Sequence, residues 1–534
     1  MNNEKSWYLR EDVYVEPLVN HWYAWPNLIA PLQYAMYMTK THRRLMNSFV
    51  KNTQLHIMAN KDPELAGGGE FVNCSLDQVE QIKALLARYD GEFAIYGQLA
   101  EAVKELDNVV KQHKSGETIE PLYEKVPELL KGYVELCMDL YHQPSYRLIE
   151  GLLYKSPYYK ESLQSVFLGI LSETNSRPFV LSTPRLIDEH HLHVKLAFRS
   201  PMWDKLFRAR TTPVSLNDID ALFDGVDTEG GLPPRLLFSN REPNSRHVPV
   251  RNDDVRIQYM GHAGFLIESP ECSILIDPVL ATRTADNQDK TYGHTDLPEK
   301  IDYLCLTHNH ADHVNIESLL QVRHKIGCVL VPKNNGGSLA DPSLRLLLRQ
   351  IGFNVVEVDD AEEIPVKSGR ILSIPFLGEH GDLNIRSKSA WFFELNGKKI
   401  YAGADSSNLE PRMYKHLHAL TGDLDVLAIG MECVGAPYTW LYGALTTDLI
   451  PKNIKDSRRL NGSDFEKAAM MVTSFNAKHV LIYALGMEPW YGYFMGLEYS
   501  DDSEQIVQSA KMLEHCEQLK LPAKRLCGKY ALSL

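Results

Sequence analysis

At 534 residues, 44% hydrophobic and 23% charged, the chain can bury sizeable cores and is longer than one core usually serves. Two domains are therefore expected and a largely disordered chain is excluded. A formal net charge of −13 argues against a general nucleic-acid or membrane-surface binder, while leaving room for a local basic patch.

The opening "MNNEKSWYLRED" lacks the basic and apolar regions of a signal peptide, and no apolar run is long enough to span a bilayer. A soluble, cytoplasmic protein with no membrane or nucleic-acid partner is expected. Glu16, His21, Trp22 and Trp25 in "EPLVNHWYAWP" read as structural, at a dimer interface, and "AGGGEF" at 66–71 lacks the strand and G-K-[ST] of a phosphate loop and reads as a turn. Apolar positions recur every three or four residues in "DQVEQIKALLARYDGEFAIYGQLAEAVKELDNVVKQH", which predicts helix. "RPFVLSTPRLI" and "HLHVKLAF" read as short strands, so the first part is α+β. Gly, Pro, Asn and Ser accumulate over 230–254, which places a boundary near residue 247, with domains 1–246 and 247–534.

Past that boundary the texture changes to short strands separated by turns. "VRIQYMGHAGFLIES", "CSILIDPVL", "DYLCLTHN", "CVLVPK", "NVVEVDD", "RILSIPF", "SAWFFELNGKKIYAGAD", "LDVLAIGMEC" and "HVLIYAL" predict strands, with Asn396-Gly397 as a hairpin turn. Helices are expected at about 316–325, 341–351, 463–476 and 503–518. Strands alternating with helices make this a layered α/β domain. The eight cysteines form no C-x-x-C pair and read as reduced core residues.

The chemistry concentrates in "LCLTHNHADHVN", 305–316. His308, His310, Asp312 and His313 follow a predicted strand directly. Three imidazoles and a carboxylate packed so closely would repel or desolvate one another without a cation to share, so they read as metal ligands at a strand end. This is the H-x-H-x-D-H signature, and it resembles the metallo-β-lactamase superfamily, whose αββα sandwich the second domain is expected to adopt. By the same resemblance, Asp405 in "IYAGADSSN" corresponds to the aspartate that bridges two metals. Where the superfamily's hydrolases offer a further histidine, "IPFLGEHGDLN" presents both Glu379 and His380, and spacing alone does not choose between them. Their late histidine has no counterpart, because Ala484, Leu485 and Gly486 stand there. Extra carboxylates are hard donors that favour iron or manganese over zinc.

"EPLVNHWYAWPNLIAP", "GEHGDLN", "AGADSS", "GMECVGAPYTWLYGAL" and "YALGMEPW" together resemble the CmlA-type di-iron β-hydroxylases of chloramphenicol and other nonribosomal peptide pathways, over essentially the whole chain. The resemblance implies an N-terminal dimerisation domain, hence a homodimer, and a non-heme cluster of two iron ions. It assigns His308, His310 and Glu379 to one iron, Asp312 and His313 to the other, and Asp405 as the bridge. It also implies O2 as co-substrate, a separate reductase as electron donor, and an amino acid tethered as a thioester to a synthetase carrier domain as substrate.

Glu432 in "GMECVG" is the candidate catalytic group, as an added or supporting carboxylate, against the alternative of a solvent-facing side chain. His262 reads as a loop brace. Tyr438, Trp440 and Trp490 are candidates to line a substrate tunnel, with core packing as the competing reading. Lys452, Lys455, Arg458 and Arg459 form the densest basic patch for an acidic carrier, set against a plain solvated loop. The competing function is a zinc hydrolase of thioesters, lactams or phosphoesters, with His380 as a ligand.

Overall fold

The computed structural model describes residues 6–62, 71–172, 177–252, 254–496 and 498–534. Most of the "AGGGEF" stretch lies outside them.

The second half folds into two seven-stranded mixed sheets stacked face to face. In one, Arg256–Gly261, Gly264–Glu268 and Ser273–Ile276 run antiparallel, and Ile301–Cys305, Ile326–Pro332 and Val355–Val358 continue in parallel. In the other, Gly369–Pro375, Ser389–Leu395 and Lys398–Ala402 form an antiparallel meander, followed by parallel Val426–Gly430, Val480–Tyr483 and Ala523–Arg525. Asn396 and Gly397 join two meander strands at φ 47° and 75°, the left-handed pair that a two-residue hairpin requires. Phe265, Ile274, Ile276, Trp391, Phe393 and Tyr483 fill the space between the sheets. Helices Pro411–Thr421, Phe465–Phe475 and Glu504–Gln518 cover the second sheet, and Ile316–Val322 and Leu344–Gln350 lie on the first. This is the αββα sandwich expected from the sequence. Each predicted strand of this half forms, and the predicted helices form within a few residues of their expected limits. Helix Pro411–Thr421 and strand Tyr530–Ser533 carry no strong periodic signal and appear only in the structure.

The first half is α+β, but its strands differ from those predicted. The five-stranded sheet is built on Val13–Val19 paired with Gln164–Ile170. "RPFVLSTPRLI" forms no strand, and only Leu192–Val194 of "HLHVKLAF" does. The predicted helical run splits into Val79–Asp90 and Ala94–Gln112. Glu16, Trp22 and Trp25 are buried inside one chain. They are therefore not available to a dimer interface, which corrects that part of the motif's reading.

One apolar cluster runs from this half across the outer face of the first sheet. Its centre is helix Ile316–Val322, all seven residues of which are buried. Burial obliges its polar side chains to find partners across the junction. The Arg177 guanidinium lies 3.1 Å from Glu317 and 3.3 Å from Glu16, and the Tyr23 hydroxyl donates to Glu317 at 2.9 Å. Arg185 closes on the other side of Glu16, and Arg210 donates to Gln321 at 2.7 Å. Removing one charge from such a buried network strands the others. Arg177→Ala should therefore cost about 3–5 kcal/mol of unfolding free energy. Urea denaturation measures it, and a loss below about 1 kcal/mol would show that the network is solvated.

Candidate metal centre

The loop 306–315 leaves strand Ile301–Cys305 at the edge between the two sheets, and the opposite sheet pins it there. The Trp391 indole N–H donates to the Leu306 carbonyl at 3.1 Å, and the Ser389 N–H donates to the Thr307 carbonyl at 2.7 Å. Glu379 follows strand Gly369–Pro375, Asp405 follows Lys398–Ala402, and Glu432 follows Val426–Gly430. Strand ends from both sheets thus converge on one point.

Four overlapping groups of potential ligand atoms lie there, each with its atoms within 4.8 Å of one another: His308, His310 and Glu379; His308, His313 and Asp405; His262, Asp312 and His313; and Glu379, Asp405 and Glu432. All six candidate metal ligands are brought together, and Glu432 joins them instead of facing open solvent. His380 enters none of these groups. Its Nδ1 is 2.7 Å from the Tyr442 hydroxyl and 3.2 Å from Glu379 Oε2. His262 does more than brace a loop, because its Nε2 lies 3.0 Å from Asp312 Oδ2.

The ring nitrogens are divided in the way metal ligation requires. His308 Nδ1 is 3.0 Å from the Thr307 hydroxyl, His310 Nε2 is 3.0 Å from the Tyr442 hydroxyl, and His313 Nδ1 is 2.7 Å from Asp277. Each ring therefore turns its other nitrogen towards the carboxylates. His313 Nε2 is 2.9 Å from Asp405 Oδ2 and His310 Nδ1 is 3.0 Å from Glu379 Oε1. Outer hydrogen bonds of this kind set the tautomer and aim the ligand. His308 Nε2, His380 Nε2 and Asp405 Oδ1 are buried without a hydrogen-bond partner, and Glu379 Oε2 makes no hydrogen bond beyond its 3.2 Å approach to His380 Nδ1. Buried polar atoms seldom go unpaired. Orphaned donors aimed at a common point fit a dinuclear cation site of three nitrogens and several carboxylates.

The backbone is strained to build the site. His262, Asp277, Glu379, Ala404 and Cys433 all adopt positive φ, between 34° and 71°. For residues with a Cβ this costs of order 1 kcal/mol each, which the surrounding packing must offset. Glycines make room: a Cβ on Gly430 would stand 3.0 Å from Asp405 Oδ1, and one on Gly435 would stand 2.7 Å from Glu432 Oε1.

Charges inside the pocket are strongly coupled. Burial opposes charge on His313, yet Asp405, Asp312 and Asp277 outweigh it and hold its pKa well above the ordinary histidine value. Burial and the neighbouring imidazoles push His308 well below that value. Burial raises the Glu379 carboxyl, and burial followed by Asp405, Glu379 and Asp312 drives the Glu432 carboxyl well above its usual range. Burial would also raise Asp312, but His313, His262 and His310 hold it low.

Of the other residues singled out in the sequence, Tyr438 and Trp490 are buried, and Trp440 is 52% exposed. The Arg458 guanidinium lies over the Tyr438 ring and donates to the Gly381 carbonyl at 2.7 Å, while Arg459 donates to the Gly435 carbonyl at 2.7 Å. These arginines brace the loops that carry Glu379 and Glu432, so only Lys452 and Lys455 of the basic patch are freely exposed. Sequence reasoning did not single out Asp277, Tyr442 or Glu488. Asp277 carried a readable signal, a carboxylate directly after the apolar strand "SILI". Glu488 is 2% exposed and accepts from the His262 N–H at 3.0 Å, a partnership that only the fold creates.

A carboxylate-rich dinuclear site on a metallo-β-lactamase sandwich is the class that fold and geometry define. The family model for the N-terminal domain of diiron non-heme β-hydroxylases matches residues 8–242, and one for a β-lactamase superfamily domain matches residues 273–437. The chain is 35% identical to the 4-amino-L-phenylalanyl-CmlP-peptidyl-carrier-protein 3-hydroxylase of Streptomyces venezuelae, over 98% of this chain and 99% of that protein. It superposes on the crystal structure of CmlA, a diiron β-hydroxylase from the same organism, with a TM-score of 0.92 at 34% identity, covering 100% of both chains. By contrast, a metal-dependent hydrolase of Alkaliphilus metalliredigens matches at 24% identity over only 33% of this chain and 68% of its own length. The chain belongs to the CmlA-type diiron non-heme β-hydroxylases, and it is a diiron enzyme. The zinc-hydrolase alternative is not favoured.

Metal removal gives a signed test. Groups whose folded pKa is raised, such as His313, Glu379 and Glu432, stabilise the metal-free fold below their unfolded values, and that contribution is lost as pH rises through the folded values. For His313 the loss begins above about pH 6.5, with a slope of about 1.4 kcal/mol per pH unit per proton. The melting temperature of chelator-treated protein should therefore fall from pH 6.5 upward. Iron-loaded protein should show a much shallower decline, because the cations take the place of those protons. Equal slopes with and without iron would remove the link between these groups and the metal.

Proposed function

We propose that this enzyme hydroxylates the β-carbon of an amino acid held as a thioester on a carrier domain of a nonribosomal peptide synthetase. The observation that carries this reading is the end-to-end similarity to a hydroxylase named for an aminoacyl carrier-protein substrate, joined to convergence of all six candidate ligands. In this reading His308, His310 and Glu379 hold one iron, Asp312 and His313 hold the other, and Asp405 lies between them. Bound iron supplies redox activation of O2: with two electrons from a separate reductase and two protons, one oxygen atom enters a C–H bond and the other leaves as water.

The chain's own side chains bind, orient and exclude water. Thr307, Tyr442 and Asp277 fix the three imidazoles from outside. Trp391 and Phe376 are buried beside the loop, the Phe376 ring 5.5 Å from that of His308. Glu432, the candidate catalytic group, lies beside Glu379 and Asp405, and in the metal-free protein burial and the neighbouring carboxylates raise its pKa. The carrier approaches the face bearing Lys452, Lys455 and the half-exposed Trp440. The chain works as a homodimer.

Protein prepared with iron and zinc both available should contain about two irons per chain, and with a reductant and O2 it should add one oxygen to a carrier-bound amino acid. Zinc occupancy, or oxygen-independent cleavage of the thioester, would refute the reading. Lys452→Glu with Lys455→Glu should raise KM for the carrier-bound substrate about tenfold at low salt, with kcat and iron content unchanged. An unchanged KM would take that face out of carrier docking. Light scattering tests the dimer.

A further inference from the structure

Tyr442 ends the short helix Thr439–Tyr442 and is 2% exposed. Its hydroxyl stands between two imidazoles, 3.0 Å from His310 Nε2 and 2.7 Å from His380 Nδ1. His310 turns Nδ1 to Glu379, 3.0 Å from Oε1. Ligation through Nδ1 needs that nitrogen's lone pair, and so needs the proton on Nε2. The Tyr442 oxygen accepts that proton's hydrogen bond, and the phenol O–H is then free to donate to His380 Nδ1. One hydroxyl thereby sets the tautomer of His310 and also contacts His380 Nδ1, which lies 3.2 Å from Glu379 Oε2 as well. It also leaves His380, which contributes to none of the ligand groups, with its Nδ1 engaged.

What holds Tyr442 comes from the other half of the chain. The Tyr37 hydroxyl donates to the Leu441 carbonyl, and the Lys40 ammonium donates to the Thr446 carbonyl. The Thr447 hydroxyl donates to Asp107, and the Lys111 ammonium lies 2.7 Å from Asp448. Four side chains from the helical N-terminal region thus grip the segment on both sides of Tyr442, and a buried aromatic ring has little freedom to move independently of its backbone.

We infer that Tyr442 is a positioning residue for the metal centre, and that the N-terminal region acts on the centre by clamping the segment that carries it. The inference rests on the reading above that His310 is an iron ligand.

The test uses full-length wild-type, Tyr442→Phe, Tyr37→Phe and His310→Ala proteins. Iron retained against graded concentrations of a chelator is measured together with the ferric absorption band and the melting curve of the metal-free protein. Tyr442→Phe should weaken iron binding about 10–100-fold and shift the band of the iron it retains, while the metal-free protein keeps a single melting transition. Tyr37→Phe should change retention in the same direction by a smaller factor, and His310→Ala should fail to hold two irons. Wild-type retention and spectrum in Tyr442→Phe, with His310→Ala depleted, would overturn the positioning role. Two irons retained in His310→Ala would instead overturn the ligand reading beneath it. If Tyr442→Phe does not fold, Tyr37→Phe decides: unchanged retention there overturns the clamp.

Discussion

Glu379, Asp405, Glu432 and Asp312 crowd into one pocket with His308, His310 and His313, and nearly all of this is out of water. Like-charged carboxylates that close cannot all ionise in a low-dielectric interior unless positive charge sits among them. The histidines balance part of that charge, most visibly at His313, which faces three carboxylates. The unpaired atoms of His308 and Asp405 fit a site where cations complete the balance. Much of the rest of the structure serves to keep these groups together against their repulsion. Left-handed backbone at Glu379, Ala404 and Cys433, glycines at 430 and 435, and the arginines braced on Gly381 and Gly435 all hold loops that would otherwise relax apart.

That requirement extends outward through helix Ile316–Val322. It begins three residues after His313 and is buried on every side, with the first sheet beneath it and the N-terminal sheet above. A helix in that position cannot shift without disturbing the metal loop, and it is held by the Arg177, Glu317 and Glu16 network. The N-terminal region therefore meets the centre at two places, through this helix and through the segment around Tyr442. Among the described residues it supplies no candidate ligand, and its contacts with the centre are those of packing and hydrogen bonding.

Much of the catalytic half was legible in advance because its signals are local. Strands such as "SILI" and "VLIY" are short apolar runs bounded by turns, and His308, His310, Asp312 and His313 are neighbours in sequence, so their chemistry shows without a fold. The N-terminal half was less legible. Val13–Val19 contains Pro17 and the buried Glu16, which blur its alternation, and its partner Gln164–Ile170 lies some 150 residues away. "RPFVLSTPRLI" has strand-like composition, but its backbone is taken up by single contacts, Val180 N–H to the Tyr493 carbonyl and Arg185 N–H to the His21 carbonyl, and no ladder forms.

The sequence by itself determined the donor types, the missing late histidine and the family resemblance, because ligand chemistry and motif spacing are properties of neighbouring residues. It left Glu379 against His380 open, since adjacent residues on a loop have equal reach until the backbone is known. Tertiary structure decided their geometry: at φ 71° Glu379 is turned towards His310, and His380 is turned to Tyr442. The same holds for Asp277, Tyr442 and Glu488, which have no shared sequence pattern. They act on the centre only because strands distant in the chain end at one point, and such proximity arises from packing alone.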